Sequence, residues 1–177
     1  MYRYLSTMII ALLWLIGANA QNWGGRGEMK LESTGMQATT TLVSQQVAGV
    51  YKASTGELTF LLKSLSFSQF DSQESQNLVS ACLKTSDYPL MKLTIPLATK
   101  DILSSSTKTV QATLEFMGTK TQHNIPLEIG VIEAEIQFSA NFEFDLNQHQ
   151  LSVPEEFKDL FGSTLQFSID QFPLDPR

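Results

Sequence analysis

The histidines are the first residues to consider for chemistry, because imidazole acts both as a general base and as a metal ligand. The chain has two, His123 and His149. His123 falls on the apolar phase of an alternating segment, and His149 falls in the polar stretch 147–150. A metal site or an activated nucleophile needs several groups that converge. Nothing in the sequence near either histidine supplies them, so we interpret both as structural or solvated.

Four carboxylates are close together in sequence, at Glu133, Glu135, Glu143 and Asp145. A carboxyl that acts as a general acid needs an apolar pocket to raise its pKa. These four alternate with apolar residues and therefore share the polar face of a strand, where charged side chains favour solubility and protect edges. We predict that they are not catalytic.

The remaining candidates for chemistry are a thiol and a glycine-rich segment. Cys82 is the single cysteine, so no intramolecular disulfide can form, and its neighbours Val79 and Leu83 predict a buried, unreactive thiol. The segment 24–27 precedes a strand, and so offers no helix N-terminus to a phosphate. The chain is predicted not to be an enzyme and to hold no cofactor or metal.

The strongest pattern in the chain is the strict alternation over residues 131–145, which is typical of a half-buried β-strand. A single strand of this length, roughly twice the usual one, favours a strongly coiled sheet or barrel. Its predicted inward face is apolar and consists of Ile132, Ala134, Ile136, Phe138, Ala140, Phe142 and Phe144.

Further alternating segments predict an antiparallel β-barrel or sandwich with few helices. We expect two strands that turn near 43–46, a hairpin turn at Gly56, and a β-bulge where the apolar phase shifts after Ser64. A second hairpin turn is expected at 117–118, and a closing strand over 165–169. Helical spacing predicts one short helix near 73–87, ended by Tyr88-Pro89, and a helical turn near 154–162.

The first twenty residues resemble a signal peptide, with Arg3, an apolar run, and Ala18-Asn19-Ala20 before the predicted cleavage. The alternative is a membrane anchor, but the run is shorter than the roughly 20 residues that span a bilayer. The expected mature chain, 21–177, is one periplasmic or secreted domain with no stable membrane span. Loss of Arg3 with the leader lowers the net charge from −6 to −7. An acidic domain argues against binding to nucleic acid and to anionic lipid headgroups.

The expected inward face carries many aromatic residues drawn from several strands. A barrel of about eight strands can be filled by its own side chains or can hold one small ligand, and the pattern leaves both open. The candidates to line an interior cavity are Phe60, Leu62, Phe67, Leu93, Leu114, Phe116, Ile125, Phe138, Phe142 and Phe167.

The order of these segments over 28–171 resembles the YceI-like family of exported bacterial proteins. The resemblance is carried by 57–67, the short helix closed by Tyr88-Pro89, and the next strand at 91–93. It is also carried by 110–120 with its Gly-Thr-Lys turn followed by 124–127, and by 47–51 before 56–58. The chain departs from the family in lacking an aromatic residue in its helix and at 91–93. The resemblance implies a lipocalin-like barrel that binds a polyisoprenoid or similar lipid tail.

Two functions from different classes follow. The first is non-enzymatic binding, transport or storage of an apolar lipid chain inside the barrel. The second is an exported barrel with a filled core, acting through its acidic surface or loops as a protein-interaction or stress-related structural module. A hydrolase is the least favoured possibility.

Overall fold

The computed structural model describes residues 22–67, 73–133 and 135–177, so the predicted leader lies outside the described residues. Eight antiparallel strands, each paired with the next, form a closed barrel, and β8 pairs with β1. This confirms the predicted fold class. The strands are β1 Trp23–Thr34, β2 Thr39–Lys52, β3 Glu57–Lys63, β4 Leu90–Pro96, β5 Ser106–Phe116, β6 Thr119–Ile132, β7 Glu135–Asp145 and β8 Thr164–Pro176.

In the described part of the chain, two helices and three 3-10 turns connect the strands. Helix α1 (Gln73–Cys82) lies between β3 and β4, within the predicted range, and the short α2 (Thr99–Ile102) follows β4. The turn Glu155–Phe157 lies inside the predicted 154–162 segment. The other two turns are Ser64–Ser66 and Asn147–His149.

The two ends of the barrel differ in what covers them. One end, which we call the helix end, carries α1, the β1–β2 and β5–β6 turns, and the long β7–β8 connection. The other, which we call the termini end, carries the β2–β3 turn, α2, the β6–β7 turn, the start of β1 and the end of β8. Val79, Cys82 and Leu83 bury the inner side of α1 and its C-terminal turn.

The predicted hairpin turns at Gly56 and 117–118 are confirmed. Gly56 has φ +65°, and Met117 and Gly118 have φ +49° and +77°. Two successive positive φ values define the type I′ turn, whose twist matches that of paired strands.

The prediction of one strand over 131–145 was wrong, because β6 ends at Ile132 and β7 begins at Glu135. Odd-numbered residues such as Ile129 face inward in β6, whereas even-numbered residues such as Ile136 face inward in β7. Ile132 therefore lies outside and is 57% exposed. Residues 133–134 include no glycine, proline or asparagine and continue the alternation, so no local signal marks the end of β6, and Ala134 lies outside the described residues.

Three other local predictions need correction. Residues 43–46 do not form a turn; they lie in β2 at a register shift opposite Gly27 and Met29. The phase shift after Ser64 is the end of β3 followed by a 3-10 turn, and not a bulge within a strand. The glycine-rich segment from Gly24 belongs to β1 itself.

Candidate functional site

The barrel interior is the candidate site. The inward side chains of all eight strands join one buried apolar cluster that also includes Val79, Cys82 and Leu83. Within the described part of the chain, the buried polar residues are three serines and one threonine, with no charged side chain among them. Every buried side-chain nitrogen or oxygen there has a hydrogen-bond partner. The described interior is therefore almost entirely apolar.

All ten residues predicted to line the interior are buried inside the barrel, and none is more than 5% exposed. Strand register brings several of them side by side, since Phe60 lies opposite Leu93 and Leu93 lies opposite Leu114. Phe67 joins the same cluster from the segment that follows the 3-10 turn after β3. The structure thus brings the ten together, while their contact with a ligand stays a prediction.

Four aromatic rings pack against one another toward the helix end. Three of them belong to predicted lining residues, and the fourth is that of Phe144. Phe116 makes edge-to-face contacts with Phe144 and Phe167, with centroids 5.6 and 5.5 Å apart. Phe142 stacks on Phe167 at 5.1 Å. Edge-to-face and stacked rings at these distances stabilise a core beyond the area they bury.

Phe172 is an interior residue that sequence reasoning missed. Phe172 lies in β8 and Phe60 in β3, with β1 and β2 between these strands in the sheet. Their rings nevertheless make an edge-to-face contact, with centroids 5.0 Å apart. A Cβ atom at Gly27 or Gly49 would lie 2.6 or 2.4 Å from the Phe172 ring, so glycine at both positions lets Phe172 cross two strands.

A bulge in β8 explains why Phe172 was missed. The register with β7 shifts between Phe138 and Ala140, and Gln171 has φ +45°. The inward phase therefore changes from odd residues before the bulge to Phe172 and Leu174 after it. The short Phe-x-Leu alternation at 172–174 was the available signal.

Tyr51 is a second missed residue, and it closes the interior toward the termini end. Its ring is fully buried, and its hydroxyl lies 3.1 Å from the carbonyl oxygen of Leu97 and 3.0 Å from Thr99 Oγ1. These hydrogen bonds connect β2 to the start of α2 and satisfy a buried hydroxyl.

His123 lies where β6 and β7 stop pairing, since their ladder ends at Leu127 opposite Ala140. Its Nε2 is 2.7 Å from Thr121 Oγ1, and its ring lies 5.7 Å from that of Phe144. Burial and the nearby charge of His149 lower the pKa of His123, and a hydrogen bond to the main chain of Glu143 opposes them. The imidazole thus fills the seam between the diverging strands, in line with a structural role.

His149 and Cys82 have surroundings that fit the roles expected from the sequence. His149 is half-buried and stacks on Phe144 at 4.6 Å. Burial, with the carboxylate of Glu156 as the smaller cause, raises the pKa of Cys82 to about 12. Because the thiolate is the reactive form, this thiol is inert in the closed structure.

Neither a metal cluster nor a membrane-spanning helix is found in the part of the chain that the structure describes. No three histidine, cysteine, aspartate or glutamate side chains there lie together as metal ligands do. None of the helices there is long and apolar enough to cross a bilayer.

A closed eight-stranded antiparallel barrel with an apolar interior defines the structural class. Among solved structures it is similar to a polyisoprenoid-binding domain from Saccharophagus degradans implicated in plant cell wall breakdown. That match has a TM-score of 0.72 and 14% identity, and covers 88% of this chain and 96% of that one.

Two further structures share the fold. Burkholderia cenocepacia BcnA matches with a TM-score of 0.60 and 12% identity over 82% of this chain and 94% of its own. A Campylobacter jejuni YCEI protein matches with a TM-score of 0.52 and 15% identity over 73% and 80%. The chain therefore has a YceI-like fold. No protein-family model matches the sequence, and comparison with curated proteins found no match.

Proposed function

We propose that this protein is a distant member of the YceI-like family. In this proposal it binds one linear, apolar lipid chain of polyisoprenoid type inside its barrel, as a carrier or store and without catalysis. The observation that carries the proposal is the apolar inward face of all eight strands. The likeness in fold to a polyisoprenoid-binding domain supports it.

The physical basis is burial of hydrocarbon. Each buried methylene contributes about 0.8 kcal/mol, so a long chain can be held tightly without a hydrogen bond. An interior without charge among its described residues favours a hydrocarbon tail over a polar ligand. The signal-peptide pattern of 1–20 supports a site of action in the periplasm or outside the cell.

Binding can be tested by native mass spectrometry of the purified protein and by thermal unfolding after delipidation. We expect a co-purified lipid mass, and a melting temperature that rises when a detergent-solubilised linear polyprenol is added. A ligand at 100 times its Kd adds about 2.7 kcal/mol to the free energy of unfolding. A melting temperature that ignores the polyprenol would contradict the proposal.

A matched pair of variants locates the ligand. Ala112 is fully buried on the inner face of β5, whereas its neighbour Gln111 is exposed. Ala112→Trp narrows the interior and should weaken polyprenol binding more than tenfold while the protein still folds. Gln111→Trp adds the same side chain outside and should leave binding unchanged.

A filled barrel that acts through its surface is the second candidate. The mutual contacts of Phe116, Phe144, Phe142 and Phe167 favour it, because these rings already occupy the helix end of the interior. In a filled core, Ala112→Trp would cost about 1–3 kcal/mol through overpacking, with no ligand to lose.

A further inference from the structure

The outer face of β3 and β4 carries alternating leucine and lysine side chains near the helix end. Lys63 lies opposite Leu90, and Leu61 lies opposite Lys92. Leu90 is 53% exposed, and Leu65, just beyond β3, is 58% exposed. Exposed leucine side chains therefore lie next to surface lysines on this face.

Tyr88 extends this surface toward β5 and β6. A Cβ atom at Gly118 would lie 2.4 Å from the Tyr88 ring, so the ring lies directly over the β5–β6 turn. The Tyr88 main-chain N–H donates to the carbonyl of Lys84 at 2.9 Å, and Ser64 Oγ donates to the Tyr88 carbonyl at 3.2 Å. We call this surface the Leu–Lys patch; it consists of Leu61, Lys63, Leu65, Lys84, Tyr88, Leu90, Lys92 and Lys120.

The charge of the patch differs from that of the whole chain, which is −6. Among the described residues, four lysines belong to it, and the carboxylates that pair with or line it are Glu115 and Asp87. Glu115 lies 3.9 Å from Lys92 Nζ and 3.2 Å from Lys120 Nζ, so two lysines share one carboxylate. The patch therefore has a local excess of positive charge that the overall composition concealed.

We infer that the Leu–Lys patch docks the barrel onto a bilayer that contains anionic phospholipid. Exposed leucines enter the boundary between headgroups and acyl chains, while lysines extend to the phosphates. A bilayer is favoured over a protein partner because the apolar and cationic side chains alternate across one face, and because their charge complements an anionic surface. The role of this docking rests on the proposed function, because the patch adjoins the barrel end closed by α1, where a lipid would enter or leave.

The test is flotation of the full mature protein with vesicles that lack any isoprenoid. We expect binding to phosphatidylglycerol–phosphatidylcholine vesicles at low ionic strength, weaker binding at high salt, and none to phosphatidylcholine alone. Each lysine near an anionic surface contributes about fivefold in affinity. Lys63→Gln with Lys92→Gln should therefore weaken binding about tenfold or more.

Matched controls lie at the opposite end of the barrel. Lys52→Gln with Lys100→Gln makes the same change in net charge at two other exposed lysines. Leu65→Ser with Leu90→Ser should abolish flotation, whereas Leu103→Ser with Ile132→Ser removes side chains of similar exposure, 58% and 57%, and should not.

Three results would overturn the inference: no flotation of the wild-type protein, equal loss in the patch and control pairs, or loss confined to the control pairs. If the patch variants lose flotation but are still stabilised by polyprenol, the substitutions impair docking and not ligand binding. Conversely, normal flotation without polyprenol stabilisation refutes the proposed ligand and leaves the docking surface in place.

Discussion

At the scale of single residues, His123 shows how a polar group is used in an apolar barrel. It occupies the seam where β6 and β7 separate, beside Thr121, Phe142 and Phe144, with His149 close by. Its ring is hydrogen-bonded to Thr121 on its own strand and to the main chain of Glu143 across the seam. Its value is therefore structural, and its titration should affect stability.

We predict that the protein loses stability as the pH falls below about 6.5. The pKa of His123 is lowered from its ordinary value of 6.5, so the unfolded chain takes up a proton at a higher pH than the folded protein does. Stability then rises with pH through the window between the lowered pKa and 6.5, and is lost on acidification through that window. Urea unfolding at a series of pH values measures the slope.

Two variants separate the contribution of His123 to this pH dependence from that of other groups. His123→Gln should remove this part of the pH dependence while keeping a polar group in the seam. His149→Gln should move the pKa of His123 up toward its ordinary value, because a coulombic cause of the shift is lost. An NMR titration that gives the same pKa in the His149→Gln variant would contradict this explanation.

At the scale of elements, one face of β7 is buried in the barrel and the other carries its polar and charged side chains. Ile136, Phe138, Phe142 and Phe144 are buried, and Glu143 is exposed. Glu135 is only half-buried, and its carboxylate accepts a 2.8 Å hydrogen bond from Gln137 Nε2. The outer face therefore contains two carboxylates with defined partners, Glu135 and Asp145, whose Oδ1 accepts a hydrogen bond from the Asn147 N–H, and one in solvent, Glu143.

We predict that Phe138→Asp lowers the free energy of unfolding by several kcal/mol, because it places an unpaired charge in the apolar interior. Glu143→Gln, five residues along on the outer face, should change it by less than about 0.5 kcal/mol. Chemical denaturation of both variants measures the difference. Equal stabilities would show that the register of β7 is wrong.

At the scale of the whole molecule, closure of the barrel places distant parts of the chain in contact at each end. At the helix end, the carboxylate of Glu156 in the β7–β8 connection contributes to the raised pKa of Cys82 in α1. At the termini end, Trp23 pairs with Pro176 and packs against Tyr51. Every strand of the barrel pairs with a neighbour on each side, which limits the free strand edges that promote aggregation.

The thiol of Cys82 reports how the helix end opens. We predict that it does not react with a thiol reagent in the native protein at neutral pH, because burial raises its pKa to about 12. Its reaction rate should rise in denaturant. If the rate rises well below the unfolding midpoint, α1 opens on its own, which lipid entry at this end requires. Rapid labelling of the native protein would contradict the closed arrangement.

The sequence alone determined the properties that depend on the identity of neighbouring residues. Alternation identified the inward side of β3, β4, β5 and β7, because side chains leave a strand on opposite faces whatever lies beyond it. Turn chemistry located Gly56 and Met117-Gly118, because a positive φ is a local requirement. Nine of the ten proposed lining residues lie in strands and were found inside for the same reason, whereas Phe67 follows a 3-10 turn.

Contacts between distant parts of the chain set where strands end, where inward phases change, and which surfaces come together. The β6–β7 turn and the β8 bulge depend on pairing between strands. The turn left no mark in the alternation, and the bulge left only the short Phe-x-Leu pattern at 172–174. Phe172 reaches Phe60 because Gly27 and Gly49, on the two intervening strands, leave room for its ring. The Leu–Lys patch likewise arises from register between β3 and β4, which brings together charges that composition had averaged into a net negative value.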